Sequence, residues 1–386
     1  MDFKTLKKAA LAALLISFAN SQVVTLTGSK PLTSNSSSHS HAPVPTGSTF
    51  SAVNSQPLPP NNIIKGERNF VNGDANQVNG DINKLIGSQN AILGSANLVV
   101  GNKNVMTGNS NTVGGNLNAI GGSANYVDGS SNAILGNSNT LVGSSNAVNG
   151  NVNVVAGNGN VAKGSFNQIG GNTNVVDGSK NILVGNTNGV WGNSNFLQGD
   201  YNLVKGDTNA IVGNANQVKG DTNAIAGNVN VVAGSNNNVL GNQNNIWGMT
   251  NNVAGSSNNV AGSYNGIIGD KNAVLGSGNA VVGGYNGVKG DINKVVGSYN
   301  GVTGNNNIVG GNVNLVTGNQ NYLQGNQNQV AGSLNGVVGS SNFVKGDINA
   351  VAGNSNIVSG SINKVVGSSN AVLGNKNAVV GGQNYV

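Results

Sequence analysis

Asparagine and a branched aliphatic residue recur along most of this chain at a fixed offset of two, once in every seven residues. The unit is Gly-x-x-Asn-x-Val-x, and it runs from Gly66 to Val386 without an insertion or a deletion. Glycine fills the first position in all 46 copies, from Gly66, Gly73 and Gly80 to Gly381, and asparagine fills the fourth, from Asn69 to Asn384. The sixth position is Val, Ile or Leu in 44 copies, the exceptions being Met106 and Ala162. A partial copy, Asn62-Ile63-Ile64-Lys65, comes first. Constant register over this length is the mark of a stacked repeat.

A period of seven also suits a coiled coil. A glycine in every heptad, however, costs about 1 kcal/mol each against helix, and a coiled-coil seam needs two apolar positions where this unit has one. In a strand, residues two apart share a face and the residue between them points the other way. The invariant Asn and Val are therefore assigned to the interior, and Gly to a corner where φ is positive or two backbones approach closely. The second position is Asn, Ser or Asp in 42 of 46 copies, which reads as a turn former beside that glycine. A buried amide without partners costs about 1–3 kcal/mol. Stacked asparagines bonding to one another along the axis, and to the corner backbone, supply those partners.

The variable positions set the length of a coil. With the Gly66 repeat counted as zero, lysine at the seventh position (Lys65, Lys163, Lys205, Lys219, Lys289, Lys345) occurs only in odd repeats, and both tryptophans, Trp191 and Trp247, stand there too. Lysine at the fifth position (Lys84, Lys294, Lys364) occurs only in even repeats. Two repeats per turn sort these sets and three do not. The predicted fold is all-β: a β-solenoid of about 23 coils of 14 residues with two flat faces. At about 4.8 Å per coil it is roughly 110 Å long, with its two sheets about 10 Å apart.

Residues 1–21 are of another kind. Lys4, Lys7 and Lys8 precede an apolar run from Ala9 to Ala19, and small residues stand at Ala19 and Ser21, so the segment reads as a secretory signal cleaved before Gln22. Its apolar run is too short for a bilayer core of about 30 Å, and no other segment is a candidate span. The mature chain is expected to be secreted and extracellular. Residues 22–60 are rich in Ser, Thr and Pro without hydrophobic periodicity, the signature of a disordered linker. The linker holds the sequon Asn35-Ser36-Ser37 and both histidines, His39 and His41. Residues 61–386 form the solenoid.

Chemistry is scarce. The chain has no cysteine, and its repeats hold no histidine, so neither a Ser/His/Asp or Cys/His constellation nor a thiolate metal site can form in them. The expectation is a protein that is not an enzyme, with no cofactor and no metal. The formal charge of +6 falls to +4 once the three lysines and Asp2 of residues 1–21 are removed. The remaining basic residues are scattered without clustered aromatics, so nucleic acid is not an expected partner. Lys205-Gly206-Asp207 and Lys219-Gly220-Asp221 read as solvated corner pairs rather than as stacked calcium ligands.

The two faces differ. In even repeats the seventh position is aliphatic, Ala or Gly in 19 of 23 coils and never lysine, so that side is flatter and drier. Phe70, Tyr126, Phe196, Tyr264 and Tyr322 interrupt it. Its smoothest stretch is four coils carrying Thr208, Ala210, Val212; Thr222, Ala224, Ala226; Asn236, Asn238, Leu240; and Thr250, Asn252, Ala254. These twelve are the candidate contact residues, because a long exposed apolar surface is a binding site or an assembly seam.

Copies such as Gly136-Asn-Ser-Asn-Thr-Leu-Val and Gly206-Asp-Thr-Asn-Ala-Ile-Val resemble the xxNxVxG repeat of the plant ice-recrystallisation-inhibition proteins, the grass antifreeze family. The resemblance covers nearly all of residues 61–386. It implies a left-handed β-roll with stacked internal Val and Asn, whose flat outer face adsorbs to ice and slows recrystallisation. A structural or adhesive extracellular β-solenoid, such as a fibre, coat or wall component, is the alternative. The expected partner is an ice surface, or extracellular matrix or glycan. Edge-to-edge self-association at the C-terminal coil is also expected: Pro59 and Pro60 guard the first copy, whereas Gly381 to Val386 stop in mid-strand.

Overall fold

In the computed structural model, which describes residues 61–386, the partial copy and every repeat but the last contribute one three-residue strand at the fifth to seventh positions, from β1 (Ile63–Lys65) to β46 (Ala378–Val380), and the Gly381 copy makes only an isolated bridge from Tyr385 to Ala371. Among the described residues there is no helix. The signal at 1–21, the linker at 22–60, the sequon and both histidines lie outside the described residues. The compact unit runs from Ile63 to Val386.

Each strand pairs in parallel with the strands two places before and after it, at a register of 14 residues. Thus Ala210, Ile211 and Val212 of β22 (Ala210–Val212) oppose Ala224, Ile225 and Ala226 of β24 (Ala224–Ala226). The 23 odd-numbered strands make the first sheet and the 23 even-numbered strands the second. A coil is therefore two repeats, as the segregation of lysine and tryptophan indicates. In the strands the middle residue points inward and its neighbours outward, and the sixth-position side chains from Val78 to Val379 are all buried. Met106 and Ala162 occupy the same rank. The interior of a coil is only two aliphatic side chains and two asparagines.

Asparagine is buried because the corner needs it. At the first and third positions, and along the strand, the backbone N–H reaches a carbonyl of a neighbouring coil; Gly220, for example, donates to Lys205 at 2.8 Å, Thr222 to Asp207 at 2.9 Å and Ala210 to Asn223 at 2.8 Å. The N–H groups of the second and fourth positions are left to side chains. Asn209 N–H donates to Oδ1 of Asn195 at 2.9 Å, and its Nδ2 donates to the same oxygen at 3.1 Å and to the carbonyl of Gly220 at 2.9 Å. Its own Oδ1 accepts the N–H and Nδ2 of Asn223 at 2.9 and 3.0 Å. Both donors and both lone pairs of the amide are used, and the pattern repeats at both corners along the solenoid.

The second position carries its own ladder, running in the opposite sense. Asn193 N–H donates to Oδ1 of Asp207 at 2.6 Å, and Asp207 N–H to Oδ1 of Asp221 at 2.7 Å, each acceptor lying one coil ahead. Asn, Ser and Asp are selected here as acceptors for a neighbour's backbone, a demand beyond that of forming a turn. Met249, Gly284 and Gly382 have no side-chain oxygen, and the ladder is interrupted at all three.

The glycines serve both purposes expected of them. Gly206 has φ of +132°, and a Cβ there would run into the carbonyl of Gly220. The third position departs from expectation: in every full repeat its φ lies between 56° and 68°, the left-handed region. Valine, isoleucine and threonine adopt it repeatedly, as at Val229, Ile292 and Thr222, although L residues pay about 1–2 kcal/mol there. The surrounding ladders override that preference.

Replacing Asn209 by alanine removes the acceptor for two groups of Asn223 and the donor for Gly220. At about 1–3 kcal/mol per buried unsatisfied group, we expect a loss of several kcal/mol. Because neighbours alone share the cost, hydrogen exchange should accelerate in the adjoining coils and stay unchanged at distant ones. Conversely, Met249→Asn restores an acceptor for Ser235 N–H and should raise the unfolding free energy by about 0.5–1 kcal/mol, read as a higher midpoint in thermal melts.

Candidate functional site

Among the described residues the interior is filled by the asparagine ladders and the aliphatic ranks, so contacts of the solenoid are made by outward side chains. Constant 14-residue register arranges these into straight columns. On the second sheet, the fifth-position column reads Ala210, Ala224, Asn238, Asn252 and the seventh reads Val212, Ala226, Leu240, Ala254. Neighbours within a column are about 4.8 Å apart, the spacing of the strands.

Eight of the twelve sequence-derived residues therefore share one face. Seven of them are at least partly exposed; Ala210, beside its register neighbour Phe196, retains only 7% of its surface. Leu240 projects well clear of the sheet, at 61% exposure. The other four, Thr208, Thr222, Asn236 and Thr250, are not on the flat face. They are third-position residues with φ near 60° and form a separate column along the corner. Tyr264 is likewise a corner residue and does not interrupt the sheet surface. Grouping positions three, five and seven assumes a strand of five residues; the strand has three. The signal available was the tight restriction of the second position, which ties the chain down before the fourth and leaves the third in a turn.

The structure also shows how far the face extends. From β12 (Thr140–Val142) to β32 (Ala280–Val282), eleven consecutive strands of the second sheet carry no charged outward residue. That is an uncharged strip roughly 48 Å long at the strand spacing. Over the same coils the first sheet bears Lys163, Asp177, Lys205 and Lys219. The first sheet is also uneven. Shallow troughs of about 540 Å³ between Val105 and Lys163, and about 500 Å³ between Trp247 and Leu315, run along it where alanines and glycines sit between larger side chains.

Charges lie elsewhere than the sequence suggested. Lys205 does not pair with Asp207: its ammonium lies 5.7 Å from the centre of the Trp191 ring on the first sheet, while the Asp207 carboxylate accepts the N–H of Asn193 at the corner. Among the described residues the one ion pair is Lys163–Asp177 at 3.4 Å, and no group of three potential metal ligands is found among them. At another corner the Tyr285 and Tyr299 rings stack 4.7 Å apart. Lys271 donates to the Tyr285 hydroxyl at 2.6 Å, and that bond holds the ammonium pKa above its usual value.

A family model described as the grass antifreeze beta roll matches residues 48–143, 128–206, 184–283 and 268–353. Comparison with curated proteins gives no match.

The described residues contain no histidine or cysteine, the side chains whose ordinary pKa values bring them near neutrality. The one raised group, Lys271, gains its stabilising partner while protonated, so its contribution is complete below the ordinary lysine pKa and fades only as pH rises beyond it. Thermal midpoints should therefore be flat between about pH 5.5 and 8.5. A step in that interval, seen by circular dichroism, would contradict this account.

Proposed function

Because the chain belongs to the grass antifreeze β-roll family, we propose that it is a secreted ice-binding protein that adsorbs through the outer face of the second sheet and so inhibits recrystallisation. The observation that carries this reading is the uncharged strip from β12 to β32. Adsorption to ice means joining a lattice of water, and a lysine ammonium keeps a strong hydration shell of its own. Small apolar groups instead restrict the orientation of first-shell water without binding it tightly. Interspersed amides such as Asn238 and Asn252 can hydrogen-bond that layer to the protein.

The backbone fixes the spacing of the columns, and the side-chain ladders hold the corners. The face is thus arranged before it meets ice, and little ordering entropy is left to lose on contact. Many weak contacts made together over roughly 48 Å give slow release. Ice can then advance only between adsorbed molecules, where its front is forced to curve and further growth becomes unfavourable.

Face and corner are separable by experiment. Ala224→Lys and Ala226→Lys place ammonium groups in the middle of the strip and should raise the protein concentration needed to stop crystal coarsening at least about tenfold, the effect of some 1.4 kcal/mol of lost adsorption. Thr222→Lys, at the corner, should have a smaller effect, and Lys205→Gln on the opposite sheet none. A splat assay in which the corner variant loses most activity, or the wild-type chain has none, would refute this assignment.

A further inference from the structure

The first sheet carries six outward lysines against three on the second, and it holds both exposed indoles and the troughs described above. We propose that its outer face from Trp191 to Leu315 is a binding track for an extended acidic polysaccharide lying along the solenoid axis. Both tryptophans occupy the seventh-position column of this one sheet, four coils and hence about 19 Å apart. They are 39% and 45% exposed. The Trp191 ring lies over its own strand, since a Cβ added to Gly189 would stand 2.8 Å from its Cζ3. With the Lys205 ammonium 5.7 Å from its centre, the ring puts an apolar surface beside a cation, as a carboxylated pyranose requires, while the sugar hydroxyls remain in water.

Between the indoles, Lys205 and Lys219 are register neighbours on adjacent strands. Beyond Trp247 the trough continues over Gly287 and Gly301, with Lys289 and Thr303 along its side. None of these three lysines forms an ion pair among the described residues. The outward positions of the whole first sheet carry six lysines against a single acid, Asp177.

The geometry favours a sugar polymer over other anionic chains. An added peptide strand gains its affinity from an open sheet edge, and a track across the middle of a sheet offers none. A nucleic-acid strand is held by successive stacked bases, whereas the indoles stand four coils apart. A carboxylated sugar chain uses all three features: aromatic faces at intervals, cations between them, and a smooth floor.

The test is affinity electrophoresis of the full chain in gels containing polygalacturonate, a neutral glucan, or polyglutamate as a polyanion without sugar rings, with duplex DNA as a competitor. We expect retardation by polygalacturonate that weakens with salt. It should fall at least about fivefold in Trp191→Ala/Trp247→Ala and in Lys205→Gln/Lys219→Gln, the loss of about 1 kcal/mol typical of central contact residues. Lys84→Gln/Lys364→Gln, on the second sheet, should change nothing. All six positions are exposed, and circular dichroism checks that each variant is folded. Absence of retardation overturns the proposal. So does equal retardation by polyglutamate with no effect of the tryptophan changes, stronger competition by DNA than by the sugar, or equal weakening by the second-sheet variant. The outcome is independent of the ice assay, because the two readings use opposite sheets.

Discussion

Two backbone N–H groups in every seven residues find no carbonyl in the main chain, and the solenoid exists because side chains accept them. The two sites make different demands. At the fourth position the acceptor sits inside, and the same side chain must also donate to a glycine carbonyl and to the asparagine behind it. Aspartate would stack like charges in a narrow interior and supply no donor, and serine is too short to span the corner. Asparagine is the neutral group with two donors and two acceptor sites on a short stem, and it is invariant. The second position, at the solvent, needs an acceptor alone, so serine and aspartate serve as well. The degree of restriction at each position follows from how many bonds its side chain must make.

This explains what could be read in advance. The strict Gly, Asn and Val positions carry register, strand and corner, and the parity of Lys163, Lys205 and Trp191 carries the number of repeats per coil. The corner conformation was hidden, because the third position accepts residues as different as Thr222, Val229 and Tyr264. Its left-handed backbone is imposed by the ladders on either side, so the residue itself leaves no trace in the sequence. The outer face of the second sheet was correspondingly half legible: Ala224, Ala226 and their column neighbours lie on it, and the threonines lie at the corner. The burial of Ala210 beside Phe196 depends on how a ring packs along the axis, which a column of letters does not contain.

Since the interior is supplied wholly by positions four and six, the outward positions five and seven are released from folding duty. One sheet can be uncharged over eleven strands while the other accumulates lysine and indole over the same coils. Two surfaces of different chemistry thus share one scaffold, each repeated at the strand spacing. The scaffold is stiff because every coil is bonded to the next through its strands and both corners.

The two corners are built alike, with the same glycine, the same asparagine bonds and the same left-handed turn. Folding therefore does not distinguish one repeat from the next. A gain or loss of 14 residues lengthens or shortens the blade and leaves each surface intact. A gain or loss of a single repeat would fold equally well, yet every residue downstream would change sides, placing lysines in the uncharged strip and alanines on the cationic track. In a gene made of near-identical short units, where copying slips easily, the unit visible to selection for surface chemistry is the pair of repeats, although the unit visible to stability is the single one.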